Sequence, residues 1–514
     1  MEKRHRHETA KHCPGAGSPA WSFGRRTLQA QNLLEAWRGA GQHDRALAVA
    51  RAEHAASQSR RGQADAMGRP HISVGQTAGW GNSQQRMQGA QFSTPAMGTS
   101  GGVNFGTSVD SGLATRSVVM AQYPLFNAAR DAGQAQLRTG AEMGNAAWRA
   151  ARSEAMLRTV QRYFELATAA EALRLAERQA RAVQRAQAEA HDSFALGELP
   201  VTDIHEADAA LAGVRAQVEA ARLQVALAQR ALTDTTGLQQ PVARLPRHDV
   251  GPGESVQAWI DAALAANPQL ELAQRGVRLA EQELARRRAG GRPTLDLVAQ
   301  AGLDRIHGHG DYGRATNRNR NAVVGVQLNI PLYDGGMSGA QAAEGASLVE
   351  RARAQLEQAR EQVTEQVRAA WLGWHSGQAR VAALEDGVKA SAARLDATRL
   401  GRKAGDRTLL DVLDAENDHA RVALALAQAR TGQVQQHLML AALADRLDEA
   451  LLAQVNAALD GPEAGDTTRS AGTGAVTRAV GPVRKHTLPR KSGQTRSHGR
   501  GLRHQPSHSS SPAD

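Results

Sequence analysis

Two stretches of this sequence, FALGELPVTDIHEADAAL at residues 194–211 and GRKAGDRTLLDVLDAENDHA at residues 401–420, share one pattern. Each contains a glycine, Gly197 or Gly405, a few residues before a run that opens with Thr and Asp. Glycine favours the left-handed conformation that ends a helix, and Thr or Asp caps the helix that follows. Each stretch is therefore predicted to be the turn of a helical hairpin.

The sequence around these turns predicts unusually long helices. Ala, Arg, Gln and Glu, which favour helix, dominate residues 128–196, 200–235, 335–404 and 407–458. A helix of about 70 residues would be roughly 100 Å long. Apolar and small residues follow the alternating steps of three and four that are typical of coiled coils. They are Leu211, Val214, Val218, Ala221, Val225, Ala228 and Leu232, and then Leu424, Ala427, Thr431, Val434, Leu438 and Ala441.

Four short segments break this helical pattern and predict strands, because they alternate or are rich in Val and Gly. They cover residues 71–80, 113–123, 294–303 and 322–330. Polar runs at 81–110 and 304–320 separate the members of each pair and are expected to be long loops. About ten residues is the length that a tilted membrane strand requires. Four strands cannot close a membrane barrel alone, so a barrel would need several chains.

The order of these elements occurs twice, which indicates a tandem duplication. Pro124-Leu125-Phe126 matches Pro331-Leu332-Tyr333 at an offset of 207 residues, and Gly197 matches Gly405 at an offset of 208. The predicted organisation is a basic disordered segment at 1–31, a first repeat at 32–250, a second repeat at 251–460 and a basic disordered tail at 461–514. The strand hairpins are placed at 71–123 and 294–330, and the helical hairpins at 128–235 and 335–458.

The net charge of +11 does not predict a nucleic-acid partner, because it is concentrated at the two ends. Residues 1–31 carry +4 and residues 461–514 carry +6, which leaves +1 for the body. A nucleic-acid-binding domain would place positive charge on a structured face. The sequence contains no run of 18 to 20 apolar residues, so it predicts no transmembrane helix. The basic start lacks an apolar signal segment, so for an exported protein we expect either a true start other than Met1 or an atypical N-terminus.

The chemical motifs of an enzyme are missing from the sequence. Cys13 is the only cysteine, which excludes internal disulfides and cysteine-based zinc sites. The sequence contains no Walker A, GxSxG or HExxH motif. His307, His309 and Asp311 are expected to lie in a loop and not to bind metal. We therefore expect no cofactor, no metal and no catalytic residue.

Five motifs give the chain a strong similarity to the TolC family of outer-membrane channels. They are the duplicated hairpins, NPQLELAQ at 267–274, RPTLDLVAQAG at 292–302, IPLYDGG at 330–336 and AGDRTLLDVLDAEN at 404–417. The resemblance covers residues 32–460. It implies a mainly α fold with a small β part, in which three chains build a 12-stranded outer-membrane β-barrel that continues into a periplasmic α-helical coiled-coil barrel.

The resemblance implies a homotrimeric outer-membrane channel that works with a periplasmic adaptor and an inner-membrane ABC transporter. The implied function is type I secretion of a protein substrate, such as a toxin of the cyclolysin kind. Multidrug efflux is the alternative within this class, and a soluble coiled-coil interaction protein is the alternative outside it. If the strands contact outer-membrane lipid, alternation predicts that Val118, Met120, Val324 and Val326 face lipid and that Ser117 and Gln327 face the lumen.

The resemblance also assigns roles to residues near the two hairpin turns. Asp411 and Asp414 match aspartates that form a cation-selective ring at the tunnel tip. The alternative is that these acidic residues, in the first turn of the last long helix, only complement the helix dipole. Arg407, Thr202 and Asp203 match residues that hold the tunnel closed; the alternative is that they are ordinary capping and solvent-exposed residues. Arg402 stands where the efflux members often have tyrosine, so an ion pair with Asp203 is expected to replace a hydrogen bond there.

Overall fold

A computed structural model describes residues 32–96, 98–247, 251–311 and 313–459, which form nine helices and four strands. The first half contains α1 (Leu33–His43), α2 (Arg45–Met67), β1 (His71–Thr94), β2 (Gly98–Phe126), α3 (Ala128–Ala195) and α4 (Val201–Thr236). The second half contains α5 (Val256–Ala266), α6 (Pro268–Ala289), β3 (Thr294–Gly310), β4 (Gly313–Asn329), α7 (Met337–Lys403), α8 (Leu409–Leu443) and α9 (Glu449–Ala457). The predicted tails at 1–31 and 461–514 lie outside the described residues.

The duplication is visible in helix caps as well as in element order. The Asp44 carboxylate accepts hydrogen bonds from the amides of Ala46 (2.8 Å) and Leu47 (3.1 Å) at the start of α2. Asn267, 223 residues later, caps α6 with hydrogen bonds of 2.8 and 3.2 Å from the same two relative positions. The offset falls to 208 beyond the strands because the first strand pair is longer than the second.

The prediction of long polar loops was wrong, because the strands continue through both polar runs. β1 and β2 contain 24 and 29 residues, and β3 and β4 contain 17 each. Gln84 pairs with Ser108, and Asp304 pairs with Asn319. Gly, Asp and Asn have low strand propensity, but each antiparallel partner satisfies the backbone groups of the other. At about 3.3 Å per residue, these strands are longer than a bilayer requires.

The long helices start and end close to the predicted residues, with one exception. α3 and α7 contain 68 and 67 residues. The predicted helix at 407–458 instead breaks after Leu443, where Asp445 has a φ of 54°. The carboxylate of Asp448 then caps α9. The break lets α9 bring Leu452 and Val455 into the core beside Leu33. None of the helices in the described ranges has both the length and the apolar character needed to cross a membrane.

The largest core lies where the short helices pack on the long ones. Tyr163 and Phe164 of α3 are almost fully buried there, together with Leu232 of α4 and Leu438 of α8. Burial desolvates the Tyr163 hydroxyl and raises its pKa to about 12, although that oxygen accepts a hydrogen bond from the Arg244 amide. The seam predicted along α4 is confirmed, since Leu211, Val214 and Val218 are buried.

The four strands form one antiparallel sheet in the order β1-β2-β3-β4, and its two faces differ in chemistry. We call one the apolar face, since it carries Ile72, Val74, Val119, Leu297, Val324 and Val326 by strand register. The other, the polar face, carries Ser73, Gly75, Gln122, Gln300, Asn321 and Gln327. A groove on the polar face contains Arg116 and Asp304, whose Nε and Oδ1 atoms are 3.5 Å apart.

This register corrects one predicted alternation. Val118 and Met120 lie on the polar face with Gln327, whereas Ser117 lies on the apolar face with Val324. The prediction for β4 agrees with the register, and the prediction for β2 was wrong. Residues 118–120 are all apolar, so the sequence does not show which of them face the same side of the sheet as the apolar residues of the other strands. Pairing with the neighbouring strands decides this.

Candidate functional site at the helical-hairpin tips

The two helical hairpins turn through the same backbone structure. In the first tip (residues 196–203), Gly197 has a φ of 78°, its amide bonds the Phe194 carbonyl (2.8 Å) and the Glu198 amide bonds Ser193 (2.9 Å). In the second tip (residues 404–411), Gly405 has a φ of 84°, with equivalent bonds of 3.0 and 2.8 Å. This is the Schellman arrangement, which the glycines permit. The predicted hairpin turns are therefore present at both glycines, but the predicted Thr or Asp cap is present only on α8, because α4 begins after Pro200 without a side-chain cap.

Apolar side chains at the start of α8 hold the two tips side by side. Leu409 is buried against Ala186 and Ala190 of α3 and Ala207 of α4. One turn later, Leu413 contacts the cluster around Leu211. The small alanine side chains allow α8 to approach the first hairpin closely. Both tips consequently lie at one end of the helical bundle, as the duplicated plan predicts.

The two aspartates of the predicted ring have different environments. The Asp411 amide donates to Thr408 Oγ1 (3.2 Å), while the Thr408 amide and hydroxyl donate to Asp411 Oδ2 (2.9 Å each). These bonds, with help from Arg407, lower the pKa of Asp411. Asp411 therefore completes a capping box with Thr408, and its charge lies in the first turn of α8, where it complements the helix dipole as the alternative role supposed. Asp414 is exposed and makes no hydrogen bond or ion pair within the described residues.

The predicted closure residues do not all come together within one chain. The Thr202 hydroxyl is 3.4 Å from Asp203 Oδ1. Arg402 Nη2 lies 3.8 Å from Glu189 Oε2 of α3, so its expected pairing with Asp203 is not the one observed. Arg402 is on the last turn of α7, and because α3 and α7 both pack against α8, Glu189 of α3 lies near it. Arg407 lies across Gly401, where an added Cβ would be 2.9 Å from Arg407 Cγ.

Two ion pairs and a hydrogen bond near the tips were not identified from the sequence. Arg394 Nη1 lies 2.7 Å from Asp418 Oδ2, and Arg399 pairs with Glu416, so α7 is tied to α8 twice. In the first hairpin, Gln187 donates to Asp208 (2.6 Å), which lowers the pKa of Asp208. These partners are 17 to 24 residues apart. Their charged and polar side chains are evident in the sequence, but their pairing depends on the rotation of each helix.

The structure changes the setting of the histidines considered for metal binding. His307 and His309 lie on β3 and not in a loop, and His307 Nδ1 is 2.7 Å from Thr316 Oγ1. Across the ranges that the structure describes, no group of three His, Cys, Asp or Glu side chains is arranged to hold a metal ion. The tips instead offer charged and hydrogen-bonding groups around a turn, an arrangement suited to ion selection and to contact between chains.

Comparison with known proteins identifies a family to which this chain is similar. Residues 38–238 and 259–445 match the model of the family described as "Outer membrane efflux protein". The chain is 33% identical over 238 residues to the outer membrane efflux protein BepC of Brucella suis biovar 1 (strain 1330), a match that covers 46% of this chain and only 50% of that protein. It is 28% identical over 444 residues to the proteases secretion protein PrtF of Dickeya chrysanthemi, covering 84% and 92%.

A solved structure supports the fold independently. The outer membrane protein VceC from Vibrio cholerae superimposes with a TM-score of 0.64 and 19% identity, covering 81% of this chain and 97% of that one. At this identity the likeness concerns the arrangement of helices and strands. The two family-model segments together include both hairpin tips and all four strands.

Proposed function

Because the chain belongs to the outer membrane efflux protein family, we propose that it is one subunit of a homotrimeric export channel. It is an outer-membrane protein. In the proposed role it exports a protein across the periplasm and outer membrane by type I secretion. The family match rules out the alternative of a soluble coiled-coil interaction protein.

The observation that carries the proposal is the open sheet. In the order β1-β2-β3-β4, the outer strands β1 and β4 each pair with one neighbour in the described sheet. Unpaired strand edges cannot remain in a bilayer, because each free backbone group there costs several kcal/mol. Pairing β4 of one subunit with β1 of the next would satisfy both edges. Three subunits would then give twelve strands, the number that the family resemblance implies.

The proposed channel is a passive conduit and not an enzyme. An inner-membrane ABC transporter would supply energy, and a periplasmic adaptor would dock near the hairpin tips. The match to a protein named for protease secretion, over 92% of its length, favours a protein substrate. A toxin of the cyclolysin kind is the substrate class we propose. The name of the Brucella relative favours efflux, which is the second candidate, but its match covers half of that protein.

Secretion and efflux can be separated in a Gram-negative strain that lacks its own channel of this family. The chain is expressed with a type I ABC transporter, its adaptor and a toxin substrate, and in parallel with a drug pump. We expect secreted toxin to appear in the medium, with little recovery of drug resistance. Recovery of resistance without secretion would replace the first function with the second.

We further propose that Asp411 and Asp414 form two rings of three carboxylates in the trimer. Such rings favour cations and disfavour anions. Conductance in planar bilayers tests this with Asp411→Asn and Asp414→Asn, since asparagine keeps an acceptor for the Thr408 cap while removing charge. We expect cation selectivity to fall in each variant and most in the double variant. Asp386→Asn, on α7 away from the tip, is the control. Unchanged selectivity in the double variant would refute the rings.

Arg407, Arg402, Thr202 and Asp203 are proposed to close the tips through contacts between subunits. An exposed pair contributes only about 0–1 kcal/mol, but threefold repetition would multiply that effect. The variants Arg407→Gln and Asp203→Asn should each raise the open fraction in the same bilayer recordings. Arg215→Gln, an exposed position on α4, provides the control. Open fractions equal to wild type would remove these residues from the closure mechanism.

A further inference from the structure

The turn that connects a helix to a strand has the same three-residue sequence, Gly-Arg-Pro, in both halves of the chain. Gly68-Arg69-Pro70 joins α2 to β1, and Gly291-Arg292-Pro293 joins α6 to β3. The Arg69 amide donates to the Ala66 carbonyl (3.0 Å), and the Arg292 amide donates to Ala289 (3.0 Å). Proline ends each helix and fixes the direction of the chain. Both arginines are thus held in the same turn, two residues before a strand begins.

These two arginines are exposed and unpaired in the described structure. Neither guanidinium has an ion pair or hydrogen bond with the residues that the structure describes. On α6, Arg286 and Arg287 both bind Glu283 and thereby lower the pKa of that carboxyl to about 2, whereas exposed Arg288 has no ion pair or hydrogen bond with the described residues. Arg69 and Arg292 are therefore free to bind an anion from outside the chain, and their position in the turn before each strand distinguishes them from Arg288 on α6.

The depth of the two turns suggests the source of that anion. At about 3.3 Å per residue, each arginine lies within about 7 Å of the first residue of its strand. The headgroup layer of a bilayer is about 5 to 8 Å deep on each side. The apolar face begins at once, with Ile72 on β1 and Leu295 on β3. If the strands cross the bilayer, both guanidinium groups lie at the level of the lipid phosphates.

Exposed aromatic side chains mark the same level. Phe126 lies beside Leu295 at the end of β2, and it is 50% exposed. Tyr333, just beyond β4, is 90% exposed. Aromatic girdles are typical of the membrane interfaces of outer-membrane barrels. The arginines therefore accompany an aromatic interface at the end of the sheet that leads into the helices.

We propose that Arg69 and Arg292 bind the phosphate groups of phospholipids in the periplasmic leaflet and so fix the depth of the barrel. This inference depends on the proposed membrane channel, in which three chains would place six guanidinium groups around the barrel. Arginine is suited to the task because its planar fork donates two hydrogen bonds to a phosphate. A cation beyond a helix C-terminus also interacts favourably with the helix dipole and stabilises the helix. That effect does not depend on lipid.

The test uses the full chain purified in an uncharged detergent and titrated with phosphatidylglycerol. Native mass spectrometry measures lipid retained by Arg69→Gln/Arg292→Gln, and Arg215→Gln/Arg380→Gln is the matched control on the long helices. One arginine at a membrane surface corresponds to about a fivefold change in affinity. We expect the first pair to need at least fivefold more lipid for the same occupancy, and the control to match wild type. Equal retention in all three proteins would overturn the proposal.

Two further measurements separate the possible failures. In the first, the Tm of the protein is measured with inorganic phosphate and with phosphatidylglycerol. An equal rise in Tm with both would assign the site to a free anion and overturn the lipid proposal. Trimer formation and conductance are recorded for every protein. Wild type that shows neither would refute the channel itself. Normal trimers and conductance with unchanged lipid retention would refute only the lipid site.

Discussion

At the residue scale, the cap of α8 makes a prediction about pH. The lowered pKa of Asp411 means that its carboxylate stabilises the folded tip above the unfolded pKa of about 3.9, and that this contribution is lost as the pH falls through the folded pKa. Thr408→Val removes the hydroxyl from the capping box, at a cost of about 1 kcal/mol. We expect about fivefold faster amide exchange in the first turn of α8 at pH 7, measured by hydrogen–deuterium exchange.

The control for that experiment is Ser255→Ala, which removes the side-chain cap of α5. It should speed exchange in α5 and leave α8 unchanged. Unaltered exchange in α8 of the Thr408→Val variant would contradict the role of the cap. The Thr-x-x-Asp spacing allowed this cap to be predicted from sequence. The partner of Arg402 could not be predicted, because Glu189 and Asp203 are both acidic and only the packing of α3 and α7 against α8 decides between them.

At the same scale, Glu283 gives a second pH prediction. Its hydrogen bonds with Arg286, Arg287 and Gln136 lower its pKa to about 2. Its stabilising effect is present above the unfolded pKa of about 4.5 and is lost as the pH falls towards 2. Because Glu283 is partly exposed, solvent screening reduces the effect. Thermal unfolding of Glu283→Gln should show a shallower fall in Tm over this pH range than wild type, and an identical slope would contradict the assignment.

At the scale of elements, the glycines at the ends of helices are expected to differ from those inside them. Gly237 ends α4 with a φ of 69°, and an added Cβ would lie 2.5 Å from the His43 ring. Left-handed backbone costs a residue with a Cβ about 1–2 kcal/mol, and this contact adds to the cost. Gly237→Ala should therefore lower the free energy of unfolding by at least about 1 kcal/mol, as measured by chemical denaturation.

Gly213 provides the matched control within the same helix. Its added Cβ would meet nothing within 4 Å, and its backbone is helical. Gly213→Ala should stabilise α4 by about 0.5–1 kcal/mol. A loss of stability at Gly213, or none at Gly237, would contradict this account.

The position equivalent to Gly237 in the second half is Asp445, 208 residues later. Asp445 adopts the same left-handed backbone with a φ of 54°, and its carboxylate pairs with Arg149 Nη1 at 2.5 Å. Asp445→Asn removes the ion pair but keeps a residue that tolerates the left-handed backbone. Asp445→Ala removes the ion pair and also that tolerance. We expect alanine to be the more destabilising by about 1 kcal/mol in the same denaturation measurement. Equal effects would show that the backbone conformation costs little there.

Most helix ends followed from the sequence, because glycine, proline and capping residues act locally. The break after Leu443 did not, since the acidic residue in the turn is held by Arg149, a partner 296 residues away. The strand lengths were missed for a related reason. Gly, Ser, Asn and Gln between residues 81 and 110 have little strand preference of their own, and pairing with the opposite strand decides their structure.

At the scale of the whole molecule, the two faces of the sheet determine how the chain meets the membrane. Alternation in β4 correctly placed Val324 and Val326 on the apolar face. In β2 the run Val118-Val119-Met120 fits either phase, so register with β1 and β3 was needed to assign it. Membrane placement thus follows from the assembled sheet and not from one strand.

Adjacent valines in β4 provide the test of that placement. Val324 lies on the apolar face and Val323 on the polar face, both about five residues from the end of the strand and thus near the middle of a ten-residue crossing. Arginine facing lipid at the midplane costs about 2–4 kcal/mol, whereas arginine facing an aqueous lumen keeps its hydration. Val324→Arg should therefore reduce folded trimer in lipid vesicles, and Val323→Arg should assemble as wild type but shift ion selectivity towards anions. Val119→Arg on the apolar face and Val118→Arg on the polar face repeat the comparison in β2, where alternation in the sequence predicted the wrong face. Equal loss of trimer from both members of each pair would mean that the polar face does not line water, and the channel would need another lumen.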